Sequence, residues 1–275
     1  MIESFDGNKN NEELHLQDSF PWQRGKFYGS YEELLGRYIV QSVLENMRPM
    51  SLLDLACGNG LLTNMMAPYF NRVVGVDASK THIAEAKSCY PDIEFIRSLA
   101  EDYMDDNGFD TITMVTLLEH VQDPSNLLRA CAKNLASKGI LIAHVPNAAA
   151  INRRISKIMG SLSDEYELSP FDLNVAGHRR SYDLSLLIQD FHNAGFEVVK
   201  TGGVFYKMLS TPQINWFLEN GPWEEGGFGW GRVGEENSKD WRQAFCDACY
   251  EFGKERAEDC NVIYAVGRLK NRIIE

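Results

Sequence analysis

The chain has 275 residues, with 27 lysines and arginines against 39 aspartates and glutamates, a formal net charge of -12, and 44% hydrophobic residues. That length supports a sizeable core, and the composition excludes a largely disordered chain. The acidic balance argues against a nucleic-acid backbone or an anionic membrane as the main partner, because both select a net cationic face.

Met1 to Gln17 is polar, with neither the basic start nor the apolar centre of a signal peptide. The segment Phe20 to Tyr28 reads as an arm ahead of a helix over Tyr31 to Glu45. From Ser51 onward strand-like and helix-like stretches alternate, which is the order of a parallel α/β sheet. Strands are predicted at Ser51 to Leu55, Arg72 to Asp77, Ile93 to Arg97, Thr111 to Val115 and Ile140 to Val145. Helices between them run from the Gly58–Gly60 turn to Tyr69, from Thr81 to Ser88, and from Asp123-Pro124 to about Ala136. The alternation pauses over Ala148 to Arg180, then resumes with a helix at Leu184 to Asn193 and a strand at Phe196 to Thr201. A second pause, rich in Gly, Trp and Phe, leads to a helix at Lys239 to Glu255 and a last strand at Asn261 to Gly267. The apolar stretches are strand-sized, far below the roughly 20 residues needed to cross a bilayer. Six cysteines in mixed settings suit reduced thiols and a cytoplasmic protein. Cys246-Asp-Ala-Cys249 lies on a helical run without a second pair, so no metal is expected.

The chemistry concentrates in Leu53-Asp-Leu-Ala-Cys-Gly-Asn-Gly60, which follows a strand and opens a helix, with Asp77 ending the next strand. Gly58 and Gly60 let a backbone approach a ligand, and the helix start directs amide groups at it. Asp77 is placed to accept hydrogen bonds from a ribose diol. Asp54, an acid within an apolar strand, has to be hydrogen-bonded and is expected to orient the loop. A dinucleotide site would add a third glycine near Thr63, which is absent, and no Tyr-x-x-x-Lys pair serves hydride transfer.

These residues resemble the class I S-adenosylmethionine-dependent methyltransferases over about Leu52 to Leu209, with the last strand also fitting. Asp54 to Gly60 is similar to the family's acidic glycine-rich loop, with Ala56 where many members carry the first glycine. Asp77 with Ala78 matches its ribose-binding acid, Leu99 and Ala100 its adenine-flanking loop, and Thr116 and Leu117 its segment after the fourth strand. The stretch Thr116-Leu-Leu-Glu-His-Val121 is similar to that of ubiquinone-biosynthesis O-methyltransferases and their small-molecule relatives, in which Gly177 to Tyr182 also has counterparts. The resemblance implies a doubly wound, seven-stranded, mostly parallel α/β sheet with an antiparallel last strand. It also implies a methyltransferase domain over 51–275 with lid-like insertions at about 147–180 and 203–257, and an N-terminal arm and helix, 1–50, covering the cofactor site.

The cofactor implied is S-adenosylmethionine, with S-adenosylhomocysteine as product. Cofactor contacts are expected at Asp54, Ala56, Gly58, Gly60, Asp77, Ala78, Leu99, Ala100, Thr116 and Leu117. His120 and His178 are candidates for the catalytic base, and Tyr28, Arg179 and Tyr182 for contact with the acceptor. Arg153-Arg154 and Arg179-Arg180 suggest an anion pocket for a phosphate or carboxylate on that acceptor. The expected reaction is O-methylation of a small metabolite, such as a sugar or a phosphorylated or nucleotide-linked intermediate, by a monomer or homodimer. The alternatives are N-methylation of a small amine and a cofactor-binding regulator that has lost catalysis.

Overall fold

The computed structural model describes residues 6–19, 29–221, 223 and 240–270. Seven strands form one sheet in the order β3-β2-β1-β4-β5-β7-β6. They are β1 (Ser51–Leu55), β2 (Arg72–Asp77), β3 (Glu94–Arg97), β4 (Phe109–Val115), β5 (Leu135–Pro146), β6 (Phe196–Val204) and β7 (Val262–Leu269). β1 lies parallel to both β2 and β4, while β7 runs antiparallel between β5 and β6. The apolar runs of β1 and β4 follow from this placement, since a central parallel strand is covered on both faces.

One face is closed by α5 (Pro124–Asn134) and α7 (Leu184–Asn193), whose buried Leu127, Leu128, Leu187 and Phe191 meet Leu53, Ile112 and Leu141 of the sheet. The other is closed by α2 (Gly29–Leu44), α8 (Thr211–Asn220) and α9 (Trp241–Glu255), which bury Val43, Leu218 and Tyr250 against Leu52, Ile142 and Val266. The connections α3 (Leu61–Met66) and α4 (Lys80–Cys89) follow β1 and β2, and Asp123, Ser79 and Asp183 cap α5, α4 and α7 through their side chains.

Three helices lie where no helix was expected: α1 (Asp6–Ser19), α6 (Ile151–Ile158) and α8. α6 occupies the first pause in the alternation, and a single π turn at Asp172–Ala176 ends at Gly177. The turn from β1 to α3 and that from β4 onward leave the same edge of the sheet in opposite directions. Open α/β sheets hold their ligands at such a reversal.

Candidate active site

The β1–α3 turn is built from below by Asp54. Its carboxylate is buried and accepts hydrogen bonds from Thr63 Oγ1 at 2.6 Å and Thr113 Oγ1 at 2.9 Å, tying α3 to β4. Burial pushes this carboxyl up to about 6, against the pull of the two threonine bonds. Above it the backbone runs left-handed at Ala56 (φ 59°), Gly58 (φ 56°) and Gly60 (φ 80°). A Cβ at Gly58 would meet nothing within 4 Å, whereas one at Gly60 would lie 2.7 Å from the Phe95 ring. Gly58 therefore faces open space, and Gly60 is small because Phe95 of β3 and Ala86 of α4 close on it. Asp54 and Gly60 are not among the residues lining the cleft, and in this structure both support the loop.

The cleft holds about 840 Å³ of empty space, open solvent at its mouth included. Ala56 and Gly58 form one wall, Asp77 and Ala78 the next, Leu99 and Ala100 a third, and Thr116, Leu117 and His120 the floor. Asp77 Oδ2 accepts from Gly58 N at 2.9 Å and Oδ1 from Ser79 N at 2.8 Å, so one carboxylate fixes the turn and still borders the cavity. Thr116, at φ 50°, bends the chain away from β4 while its N–H donates to His144 O. These residues fit an adenosine-bearing sulfonium: an acid for a diol, apolar walls for a base, and a loop whose missing Cβ leaves room for the ligand.

Glu13 and Gln17 of α1 complete the cleft. Sequence reading missed them, because α1 is polar all round and carries no apolar stripe to announce a helix. Its acids anchor it instead. Glu13 accepts from Arg179 at 3.0 Å and from Gln122 Nε2 at 3.1 Å, and Asp18 accepts from Arg97 at 2.7 Å and from Lys80 N at 2.9 Å.

A second cavity shares Gln17 and His120 with the cleft and adds Leu16, Leu173, Gly177, His178 and Arg179. The rings of His120 and His178 meet edge to face, with centroids 5.0 Å apart. His120 Nδ1 lies 3.1 Å from Gly177 O, and His178 Nδ1 lies 3.5 Å from Asp172 Oδ1. Although burial opposes it, the His178 hydrogen bond, the Arg153 charge and Ser169 hold the Asp172 carboxyl well below its ordinary range. Glu119 is buried beside His120, its Oε1 3.8 Å from His120 Nε2. It was legible as an acid in the apolar stretch Thr116 to Val121, yet was passed over for the histidine next to it.

The arginine pairs do not form an anion pocket. Arg153 donates to Glu165 O, Glu167 O and Asp172, and Arg154 pairs with Asp259. Arg179 pairs with Glu13, and Arg180 donates to the carbonyls of Leu118, Val121 and Gln122. All four guanidinium groups hold the segment 147–180 and its neighbours together. Tyr182 also departs from expectation: it is buried in the main core with its hydroxyl donated to Asp190 at 2.7 Å, and it reaches neither cavity. Tyr28 and the Gly-rich tract from Glu224 to Gly234 lie outside the described residues.

Residues 28–201 match the family model described as a methyltransferase domain. A probable S-adenosylmethionine-dependent methyltransferase of Mycolicibacterium smegmatis is 24% identical over 68% of this chain and 72% of its own length. A ubiquinone biosynthesis O-methyltransferase of Aliivibrio fischeri is 34% identical over 35% of this chain and 45% of its own length, so the match spans under half of that relative. Among solved structures, a SAM-dependent methyltransferase of Thermotoga maritima, described as a possible histamine N-methyltransferase, shares the fold. It is 17% identical with a TM-score of 0.56, over 90% of this chain and 99% of the other.

Proposed function

The chain belongs to the methyltransferase-domain family, whose S-adenosylmethionine-dependent members it matches, and on that premise we propose that it O-methylates a small hydroxyl-bearing metabolite. S-adenosylmethionine supplies a methyl group already activated on a sulfonium sulfur. What remains for this chain is to hold that cofactor, align an acceptor oxygen, keep water out and dispose of the hydroxyl proton. In this reading the Ala56–Gly58 turn and Asp77 hold the amino-acid and ribose portions, and Leu99, Ala100, Thr116 and Leu117 enclose the rest. Glu13 and Gln17 of α1 cover it, and the acceptor enters from the second cavity.

The observation that carries the proposal is the position of His120. It borders both cavities, with His178 packed against it and Glu119 beside it. A cofactor cleft without chemistry would need no buried titratable cluster at the wall it shares with a neighbouring cavity. The O-methyltransferase name among the relatives supports an oxygen acceptor. With the four arginines occupied, nothing favours a phosphorylated acceptor over an uncharged one.

The test has two parts. Calorimetry should give one S-adenosylhomocysteine bound per chain, with NAD silent; no binding removes the proposal at its root. A panel of hydroxyl- and amine-bearing metabolites, assayed by S-adenosylhomocysteine release, should then yield a hydroxyl acceptor whose turnover falls by about 10²–10⁴ in His120→Ala or His178→Ala. Turnover of amines alone, or rates unchanged in both variants, rules out assisted O-methylation.

A further inference from the structure

The geometry points to a divalent-cation site formed by Glu119, His120 and His178, in the wall between the two cavities. Each residue offers one ligand atom, and these atoms all lie within 4.8 Å of one another. Two ligands on opposite sides of an ion with bonds of about 2.1 Å stand about 4.2 Å apart, so small side-chain adjustments close the set on an ion.

The surroundings are those of a ligand set. A metal-bound imidazole commits its other nitrogen to a carbonyl or a carboxylate, which fixes the ring and its tautomer. His120 does the first, through Nδ1 and Gly177 O at 3.1 Å, and His178 does the second, through Nδ1 and Asp172 Oδ1 at 3.5 Å. Asp172 is itself held by Ser169 and Arg153, so the carboxylate that orients His178 is also fixed. Glu119 is 1% exposed, and a cation would stabilise a carboxylate at that depth.

Two nitrogens and one carboxylate select a first-row ion such as Zn²⁺ or Mn²⁺ over Mg²⁺ or Ca²⁺, and three protein ligands leave positions open. The role of the ion rests on the methyl-transfer reading, whereas the site itself does not. An acceptor hydroxyl bound at an open position would be made more acidic. Its proton leaves to solvent, its oxygen forms the new O–C bond as the C–S⁺ bond breaks, and the C–S electron pair stays on sulfur.

The test uses the full chain stripped with a chelator. Titration with Mn²⁺, read by the electron paramagnetic resonance of the free ion, and with Zn²⁺, read by calorimetry, should give one ion per chain. Mn²⁺ discriminates against the six thiols. His178→Ala, His120→Ala and Glu119→Gln should each weaken binding by at least about tenfold, and Asp172→Asn by about 10–100-fold. His178→Ala carries the test should the buried Glu119→Gln fail to fold. Wild-type protein that takes up no ion, or His120→Ala and His178→Ala that bind Mn²⁺ as tightly as wild type, overturns the proposal. Calorimetry with S-adenosylhomocysteine on the metal-free chain separates the two readings. Cofactor binding without any ion removes the site alone, and ion binding without cofactor binding keeps the site and removes its role in methyl transfer.

Discussion

Gly58 and Gly60 share a left-handed backbone two residues apart, yet they are small for opposite reasons. A methyl group at Gly58 would project into the cleft, and one at Gly60 would strike Phe95. Either alanine accepts a positive φ at a cost of roughly 1–2 kcal/mol. Gly60→Ala adds overpacking of about 1–3 kcal/mol, so its melting temperature should fall further. Gly58→Ala should lose cofactor affinity instead, with the dissociation constant for S-adenosylhomocysteine rising at least tenfold, equivalent to about 1.4 kcal/mol. Thermal melts and calorimetry on the two variants check this directly. The reverse ranking, with Gly58→Ala the less stable and Gly60→Ala the weaker binder, would show that the turn faces the other way.

At the scale of elements, β5 is tied to α2 by a buried histidine that the reading of the sequence did not single out. His144 Nε2 lies 2.8 Å from Ser42 Oγ, and that hydroxyl donates its own proton to Ile39 O at 2.7 Å. The ring must therefore donate through Nε2, and its Nδ1 has no hydrogen-bond partner among the described residues. Burial depresses its pKa from 6.5 to about 3. The unfolded chain thus takes up the proton first, and stability falls as pH drops from about 6.5 towards 3, by on the order of 3 kcal/mol near pH 4. His144→Phe should be less stable at pH 7 by about 1 kcal/mol for the lost hydrogen bond. It should also lack this limb of the acid-unfolding curve, and a parallel curve in both proteins would sink the idea. The contrast with the rest of the sheet shows where sequence is informative. The central strands were legible because burial on both faces writes itself as apolar runs, and the half-exposed edge strands β3 and β6 because turn residues bound their short β-branched and aromatic stretches. The β1–α3 turn was legible because Gly58 and Asp77 meet local geometric demands. α6 and α8 were not, being short helices inside segments read as loops, and Tyr182 and the arginine pairs were misjudged because their partners Asp190, Asp259 and Glu13 are fixed by tertiary folding.

For the whole molecule, the net charge of -12 takes on a structural meaning. In so acidic a chain an arginine near the cleft finds a carboxylate before it finds a ligand, which is why the expected anion pocket is absent. The same excess supplies the clasp: α1 carries Asp6, Glu12, Glu13 and Asp18 against Lys9, and it docks through Glu13 and Asp18 onto Arg179, Gln122, Arg97 and the start of α4. Partly exposed pairs of this kind contribute about 0–1 kcal/mol each and weaken in salt. A chain lacking residues 1–19 should therefore keep its ligand-free melting temperature within a few degrees, since none of the described side chains of α1, residues 11–19, is buried. Because Glu13 and Gln17 border the cleft, the truncated chain should bind S-adenosylhomocysteine at least about tenfold more weakly. Mass action then reduces the ligand's stabilisation, which is about 2.7 kcal/mol for the intact chain at a hundred times its dissociation constant. Raising the salt concentration should weaken cofactor binding by the intact chain more than by the truncated one, because only the former uses the clasp. Equal affinity in the two chains, or equal salt dependence, would show that α1 lies on the cleft without holding anything in it.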